Sequence, residues 1–484
     1  MSVRSIKCFK EKNVINFGKN IRFKAENYYI PKSEEDILEI LQKHKDSKIR
    51  VVGCKHSWSD VFKCKHVIVE MSKFNTLKMS DASTPPTVEL GAGIQIKHAL
   101  KKLHSTSDYT FPAIGVIIEQ TIAGAISTST HGCGKNSLSH YVQEISFAAY
   151  NEKSGEPEIF TVNSGEELRA ARCSLGCMGI IISVKLEVIP QYYLAESKAI
   201  FKSIEEVLET EEKYPLQQTY LIPYYWTYIV QRRQIVEADA YKPGLRLLLY
   251  RLYWLFIVDI LLHINIKVIN AVSGSSNKLF CWFYSSLFPR LFIDPKGVVD
   301  ISHRQLVMKH ELFRHFEVEL FVTRSNLPGT MNLVKDLLKV VAGTKSKISE
   351  DTVEQFKKIG LYERLCQIKG KHVHHYPICI RKILPDDAMM SCGSSNEEAY
   401  YSVSFICYRK DSTGFKLFAD FLAEATFKLF EARLHWGKYF PHDATKVETL
   451  YKECEAFRKI CRKYDPTGVF HNKFIKDEVF SEED

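Results

Sequence analysis

The chain has 484 residues, of which 45% are hydrophobic and 25% charged, with a formal net charge of +9. These proportions exclude collagen, coiled coil and extended disorder, and the length points to two or three folded domains. The charge excess is modest and lacks aromatic interleaving or a recognition module, so no nucleic-acid partner is expected.

Taken in chain order, the charge comes first. Seven basic residues between Met1 and Lys24 (Arg4, Lys7, Lys10, Lys12, Lys19, Arg22, Lys24) stand against Glu11 alone. A solvated basic arm over residues 1–18 is expected, with lipid headgroups as the alternative contact. The opening MSVRSIKCFKEKN shows no apolar stretch of a secretory signal. The 13 cysteines include no CxxC pair and read as reduced thiols, with neither a disulfide framework nor a metal site.

Ser33 to Lys45 opens with a capping-box start and has apolar residues at helical spacing, leading into the strand Ile49–Val52. Val88–Leu90 predicts a strand, followed by GAGIQI and the helix-like IKHALKKLH. Strands are also predicted at Ile159–Val162 and Ile180–Val188, with the helix GEELRAARCS between them. This alternation predicts an α+β or α/β domain over residues 19–190, α+β being preferred, and a second domain over 191–484. Within the second lies an apolar insertion, residues 245–292, whose runs are interrupted by Arg251, Asp259 and Arg290. It reads either as a patch lying in a membrane interface, anchored by Tyr253, Trp254, Trp282 and Tyr284, or as a buried helical hairpin.

Gly91-Ala92-Gly93 lacks the third glycine of a dinucleotide fingerprint, since position 96 is Ile, and a nicotinamide-binding fold is rejected. More informative are three turns rich in small residues that follow strands. They are VVGCKHSWSD with Gly53, Cys54, Lys55, His56 and Ser57; the stretch from Gly115 through Thr121, Gly124, Ser127 and His131; and Gly176 to Ile181 with Gly179. Such turns bring backbone N–H groups close to a ligand, and a pyrophosphate is a natural partner for them.

VVGCKHSWSD, TIAGAISTSTHGCG, AARCSLGCMGIIISVKLEVIP, HHYPICIRKILPDD, RLHWGK and YDPTGVFHNKF together resemble the vanillyl-alcohol-oxidase superfamily. Within it the match is to the aldonolactone oxidase group, L-gulonolactone oxidase and fungal D-arabinono-1,4-lactone oxidase. The resemblance implies an FAD-binding domain of two subdomains, and a substrate domain with an antiparallel sheet flanked by helices. It implies that the HWGK segment returns to the flavin.

By the same resemblance His56 carries FAD covalently, with His131 as the second candidate or a residue packed on the cofactor. Gly115 leaves dioxygen a path to the flavin and so favours hydrogen peroxide as a product. Arg381, Lys438 and His435 form the catalytic wall. A sugar-derived 1,4-lactone (L-gulono-, L-galactono- or D-arabinono-) is the implied substrate and an ascorbate-type compound the product. A membrane is the implied setting, the endoplasmic reticulum first and the mitochondrial membrane as the alternative. Two departures stand out: Cys379 replaces a substrate-binding glutamate, and Cys54 and Lys55 replace glycines, with Lys55 able to pair with phosphate instead. They leave open a dehydrogenase using another acceptor, or a flavin-binding protein without catalysis.

Overall fold

The computed structural model describes residues 6–80, 84–273, 277–283, 286, 294–295, 297–307, 314–344, 348–395, 397–408 and 412–481. Strands β1 (Cys8–Ile15), β2 (Arg22–Tyr29), β3 (Ile49–Val52) and β4 (Val67–Glu70) form a sheet in the order β1-β2-β4-β3. The helix Glu34–Lys43 links β2 to β3. Ser33 Oγ accepts the Asp36 N–H at 3.3 Å, three acidic residues occupy its first turn, and Ile37, Ile40 and Leu41 are buried. The cap, the helix dipole and the apolar spacing therefore agree on this start.

The next strands are β5 (Leu77–Ser80), β6 (Thr87–Gly91), β7 (Tyr109–Thr110), β8 (Val142–Tyr150), β9 (Pro157–Val162), β10 (Ile180–Glu187) and β11 (Ile189–Pro190). Five of them form an antiparallel sheet in the order β5-β6-β10-β8-β9, and β7 pairs with β11.

A third sheet draws its strands from Tyr193 onward. They are β12 (Tyr193–Phe201), β13 (Gln218–Ile222), β14 (Thr227–Val236), β15 (Val298–Ile301), β16 (His315–Thr323), β17 (Ile378–Ile383), β18 (Tyr400–Tyr408) and β19 (Arg433–Leu434). The order is β15-β12-β14-β13-β17-β18-β16-β19, antiparallel throughout. Side chains alternate between its two faces. Phe316, Val318, Leu320, Val403 and Phe405 turn one way, into the core with the helices Leu327–Val341 and Ser412–Phe430. Glu317, Glu319, Arg381, Ser402 and Ser404 turn the other way and are also largely buried. A buried polar face of this kind requires a partner for every group it carries.

Two expectations change here. The basic arm is not a free tail, because from Cys8 onward it forms the edge strand β1. Lys12 lies over the Phe9 and Tyr28 rings at 4.7 and 3.7 Å, and Lys24 pairs with Glu11 at 2.8 Å. Lysines suit an open sheet edge because their charge discourages pairing with another chain. Arg4 lies outside the described residues.

The insertion contains one continuous helical run, Leu245–Ile269, long and apolar enough by length and composition to cross a membrane. Arg251 lies within it and pairs with Asp300 at 2.7 Å. Its middle, Trp254–Leu261, is π-helical. Leu247, Tyr250, Leu262, Ile266 and Ile269 are buried, whereas Leu245, Leu248, Leu249, Phe256, Ile264 and Val268 are about half exposed or more. The run is thus neither a wholly buried hairpin nor a free span. Trp282 is exposed, and Tyr284 and Arg290 lie outside the described residues.

Candidate active site

The three small-residue turns, far apart in sequence, meet around one cavity with about 1000 Å³ of empty space, solvent mouth included. The first turn lines it with Gly53, Cys54, Lys55, His56 and Ser57, the second with Thr121, Gly124 and Ser127, the third with Gly176, Gly179 and Ile181. Close approach explains two glycines. A Cβ on Gly53 would lie 2.0 Å from Thr121 Oγ1, and one on Gly179, at φ +141°, would lie 2.4 Å from the Ala148 carbonyl oxygen. The first two turns can touch only because Gly53 has no side chain.

The C-terminal segment is tied to the first turn. The Trp58 N–H donates to the Gly437 carbonyl at 2.8 Å, and Ser59 Oγ donates to the Trp436 carbonyl at 2.5 Å. His435 and Lys438 are thereby placed in the cavity wall.

A second cavity, with about 580 Å³ of empty space, adjoins the first and shares Gln120, His435 and Lys438 with it. Its polar wall includes His131, His315, Glu317, Glu319 and Arg381, and its apolar lining is Val116, Ile117 and Ile406.

The charged groups of this wall are paired with one another. Glu319 lies 3.4 Å from Arg381 Nη1 and 3.3 Å from His131 Nε2, and Lys438 is bound to Glu317. Burial alone would raise the Glu319 carboxyl, but His131 outweighs it, chiefly through the contact at Nε2, and the group is held at about 2. Glu317, despite the same burial, is held well below the usual carboxylate range by Lys438 and His315. Burial pushes His435 down to about 3, leaving it neutral. The Gly437 N–H donates to His435 Nδ1 at 3.0 Å, which assigns the ring proton to Nε2. His131, Glu319 and His435 converge as a metal triad would, but Arg381 and Lys438 already supply positive charge there.

Several expected residues take other places. His131 lines the second cavity, its Nδ1 against the Gly132 carbonyl at 3.1 Å, while His56 lines the first and stacks on Phe17 at 4.7 Å. Lys55 lines the first cavity and pairs with Glu70 at 3.3 Å. Gln95 Nε2 donates to the Cys54 thiol at 2.9 Å, and burial raises that thiol. Gly115 lines neither cavity; it is buried next to Val116, and its Cβ would meet Thr130 Cγ2 at 2.8 Å.

Cys379 also lines neither cavity. It lies two residues before Arg381 on β17, accepts from Gln218 Nε2 at 3.0 Å, and is pushed by burial up to about 11. A neutral buried thiol does not replace a carboxylate. The carboxylates come instead from β16, as Glu317 and Glu319, which the sequence reading missed. Their signal was the alternation HFEVELFV, with two glutamates of equal parity in an otherwise apolar strand.

Known proteins resemble this chain over most of its length. The family model described as D-arabinono-1,4-lactone oxidase matches residues 184–478, and that of an FAD-binding domain matches residues 25–151. A long-chain alcohol oxidase of an uncultured marine euryarchaeote is 39% identical over 460 residues, covering 94% of this chain and 95% of its own. L-gulonolactone oxidase of Bos taurus is 24% identical over 462 residues, covering 93% and 94%. The crystal structure of cholesterol oxidase from B. sterolicum superimposes with a TM-score of 0.74 at 15% identity over 97% of both chains, a likeness of fold. The glycine-framed cavity fits FAD, with the His56 turn, Thr121, Gly176 and Gly179 as its cradle. The chain belongs to the D-arabinono-1,4-lactone oxidase family and is an FAD-dependent oxidoreductase acting on CH–OH groups with oxygen.

Proposed function

We propose that this protein oxidises the hydroxyl-bearing carbon of an alcohol in the second cavity, reduces dioxygen to hydrogen peroxide, and works at a membrane surface. The observation that carries this reading is the shared wall: His435 and Lys438 line both cavities, so cofactor and substrate meet at fixed polar groups. Bound FAD supplies the hydride acceptor and the electrons for dioxygen. Covalent attachment is assigned to His56, which lies on the cofactor side of that wall. Lys438 and Arg381 place positive charge where negative charge develops, and the His435 Nε2–H is a donor for the substrate oxygen.

For the substrate we take a long-chain alcohol, as in the name of the euryarchaeal relative. The polar groups of the second cavity are largely spent on one another, through Arg381–Glu319, His131–Glu319 and Lys438–Glu317. The rest of its lining includes Val116, Ile117 and Ile406 beside Gln120 and Thr130, which are hydrogen-bonded to each other at 3.0 Å. A single hydroxyl suits such a cavity better than a polyol does. The second reading is a sugar-derived 1,4-lactone giving an ascorbate-type product, favoured by the names of the bovine and fungal relatives and by the polar wall itself. The exposed apolar face of Leu245–Ile269 supports a membrane setting, the endoplasmic reticulum first and mitochondria second.

The test is peroxide release by the holoenzyme on 1-butanol, 1-octanol, 1-dodecanol and L-gulono-, L-galactono- and D-arabinono-1,4-lactones. Turnover confined to lactones selects the second reading. Flavin reduced by substrate but reoxidised only slowly in air would identify a dehydrogenase. For the membrane, flotation with phosphatidylcholine vesicles is expected for the native chain and not for Leu248→Ser/Leu249→Ser/Phe256→Ser.

A further inference from the structure

The reactive face of the third sheet does not end at the second cavity. In the strand register Glu319 faces Ser404 and Glu317 faces Ile406, while Cys379 faces both Ser404 and Tyr220. Period-two alternation then puts Tyr408, Ile222 and Ile229 on the same face. One end of this face is the charged wall already described. The other end is an apolar cluster of Tyr220, Ile222, Tyr376, Cys379 and Tyr408, roofed by Leu262, Ile266, Ile269 and Phe283. Ile406 belongs to both: it lines the cavity and packs against the cluster.

Ile264 and Val268, on the same turns as Ile266 and Ile269, are about half exposed, so among the described residues the helix that packs on the apolar end has an open outer side. Its two ends are held differently. The first turns of the run are fastened to the sheet by Tyr250 on Glu196 and Arg251 on Asp300. The roofing turns are held by apolar packing and by the Tyr408 hydroxyl on His263, whose carbonyl also accepts from it at 3.1 Å. Between them runs the π-helical stretch Trp254–Leu261, a rare wide-register form that is frequent at functional sites when it occurs as a bulge.

We propose that the apolar end of this face, beneath Leu262–Ile269, is the groove that receives the hydrocarbon chain of the alcohol, entered from the lipid side. The hydroxyl end reaches the charged wall past Ile406, and the chain displaces packing among Tyr220, Tyr376, Tyr408 and Ile266. The groove rests on the long-chain reading of the substrate, and it accounts for an exposed apolar helix covering part of the reactive face of an oxidase.

The experiment measures kcat/KM of the holoenzyme for 1-butanol, 1-octanol, 1-dodecanol and 1-hexadecanol in detergent micelles, for the native chain, Ile266→Phe and Ile266→Ala. Native kcat/KM is expected to rise at least tenfold from butanol to dodecanol. Ile266→Phe should shift the preferred length shorter and Ile266→Ala longer, with flavin content retained. A residue of purely structural importance would change all chain lengths by one common factor, and that result overturns the groove while leaving alcohol oxidation in place. Oxidation of lactones but of no alkanol overturns the long-chain reading itself. If Ile266→Phe fails to hold flavin, the Ile266→Ala profile alone decides.

Discussion

Arg381 on β17 and Glu319 on β16 face one another at 3.4 Å although β18 lies between their strands, and His131, from the N-terminal domain, completes the bridge at 3.3 Å. All three side chains are buried or nearly so, so the Arg381 and Glu319 charges depend on each other for stabilisation. The wall of the second cavity is thus assembled from both domains.

Glu319→Gln should leave Arg381 and His131 without their shared anion. The expected cost is about 3 kcal/mol of stability, as for a broken buried ion pair, with kcat lowered roughly 10²-fold. Thermal unfolding and steady-state rates at saturating flavin check both values. A native-like kcat would show that the bridge only supports the fold.

His56→Ala should abolish covalent flavin, whereas His131→Ala should keep it and lose turnover. The basis is placement: His56 lines the cofactor cavity and His131 the substrate cavity. Flavin fluorescence on a denaturing gel separates the two, and a fluorescent His56→Ala band would rule out that attachment point.

Gly115→Ala adds a methyl 2.8 Å from Thr130 Cγ2, next to the cavity residue Val116. Flavin reoxidation by dioxygen should slow about tenfold, about 1.4 kcal/mol of barrier, with anaerobic reduction by substrate nearly unchanged. Stopped-flow absorbance measures the two half-reactions separately.

His374 is fully buried among Phe405, Phe418 and two other histidines, and burial pushes it down to about 3. Above pH 6.5 the ring is neutral in both the folded and the unfolded chain, so it has no effect on the pH dependence. As pH falls from 6.5 towards 3 the unfolded chain takes up a proton that the folded chain refuses, and stability is lost. At pH 5 the loss from this residue alone is about 2 kcal/mol. His374→Phe should flatten the fall of melting temperature between pH 6.5 and 4. An unchanged slope would show that His374 does not contribute to acid sensitivity.

The local elements were legible from sequence because their signals are local. The Ser33 cap and the Ile37/Ile40/Leu41 spacing mark a helix, and IRVV marks a strand. The cofactor side was legible for a similar reason: glycine turns after strands are visible one at a time, and the residues expected from the three turns themselves line one cavity, His131 and Gly115 apart. The substrate side was only half legible. Arg381, His435 and Lys438 stood in recognisable motifs, but Glu317 and Glu319 sit in an apolar strand where only parity marks them.

By itself, then, the sequence determined that this chain binds FAD, which small-residue turns come together around one cavity, and that 245–292 is unusually apolar. Only the tertiary structure decided that the basic segment from Cys8 is an edge strand, that Cys379 is a buried neutral thiol, and that β16 supplies the carboxylates. It also decided that part of the apolar run roofs the reactive face. The reason is the range of the forces involved. Turn geometry and capping act within a few residues, whereas the partner of a buried charge and the cover of an apolar face are set by strands and helices far away in the chain.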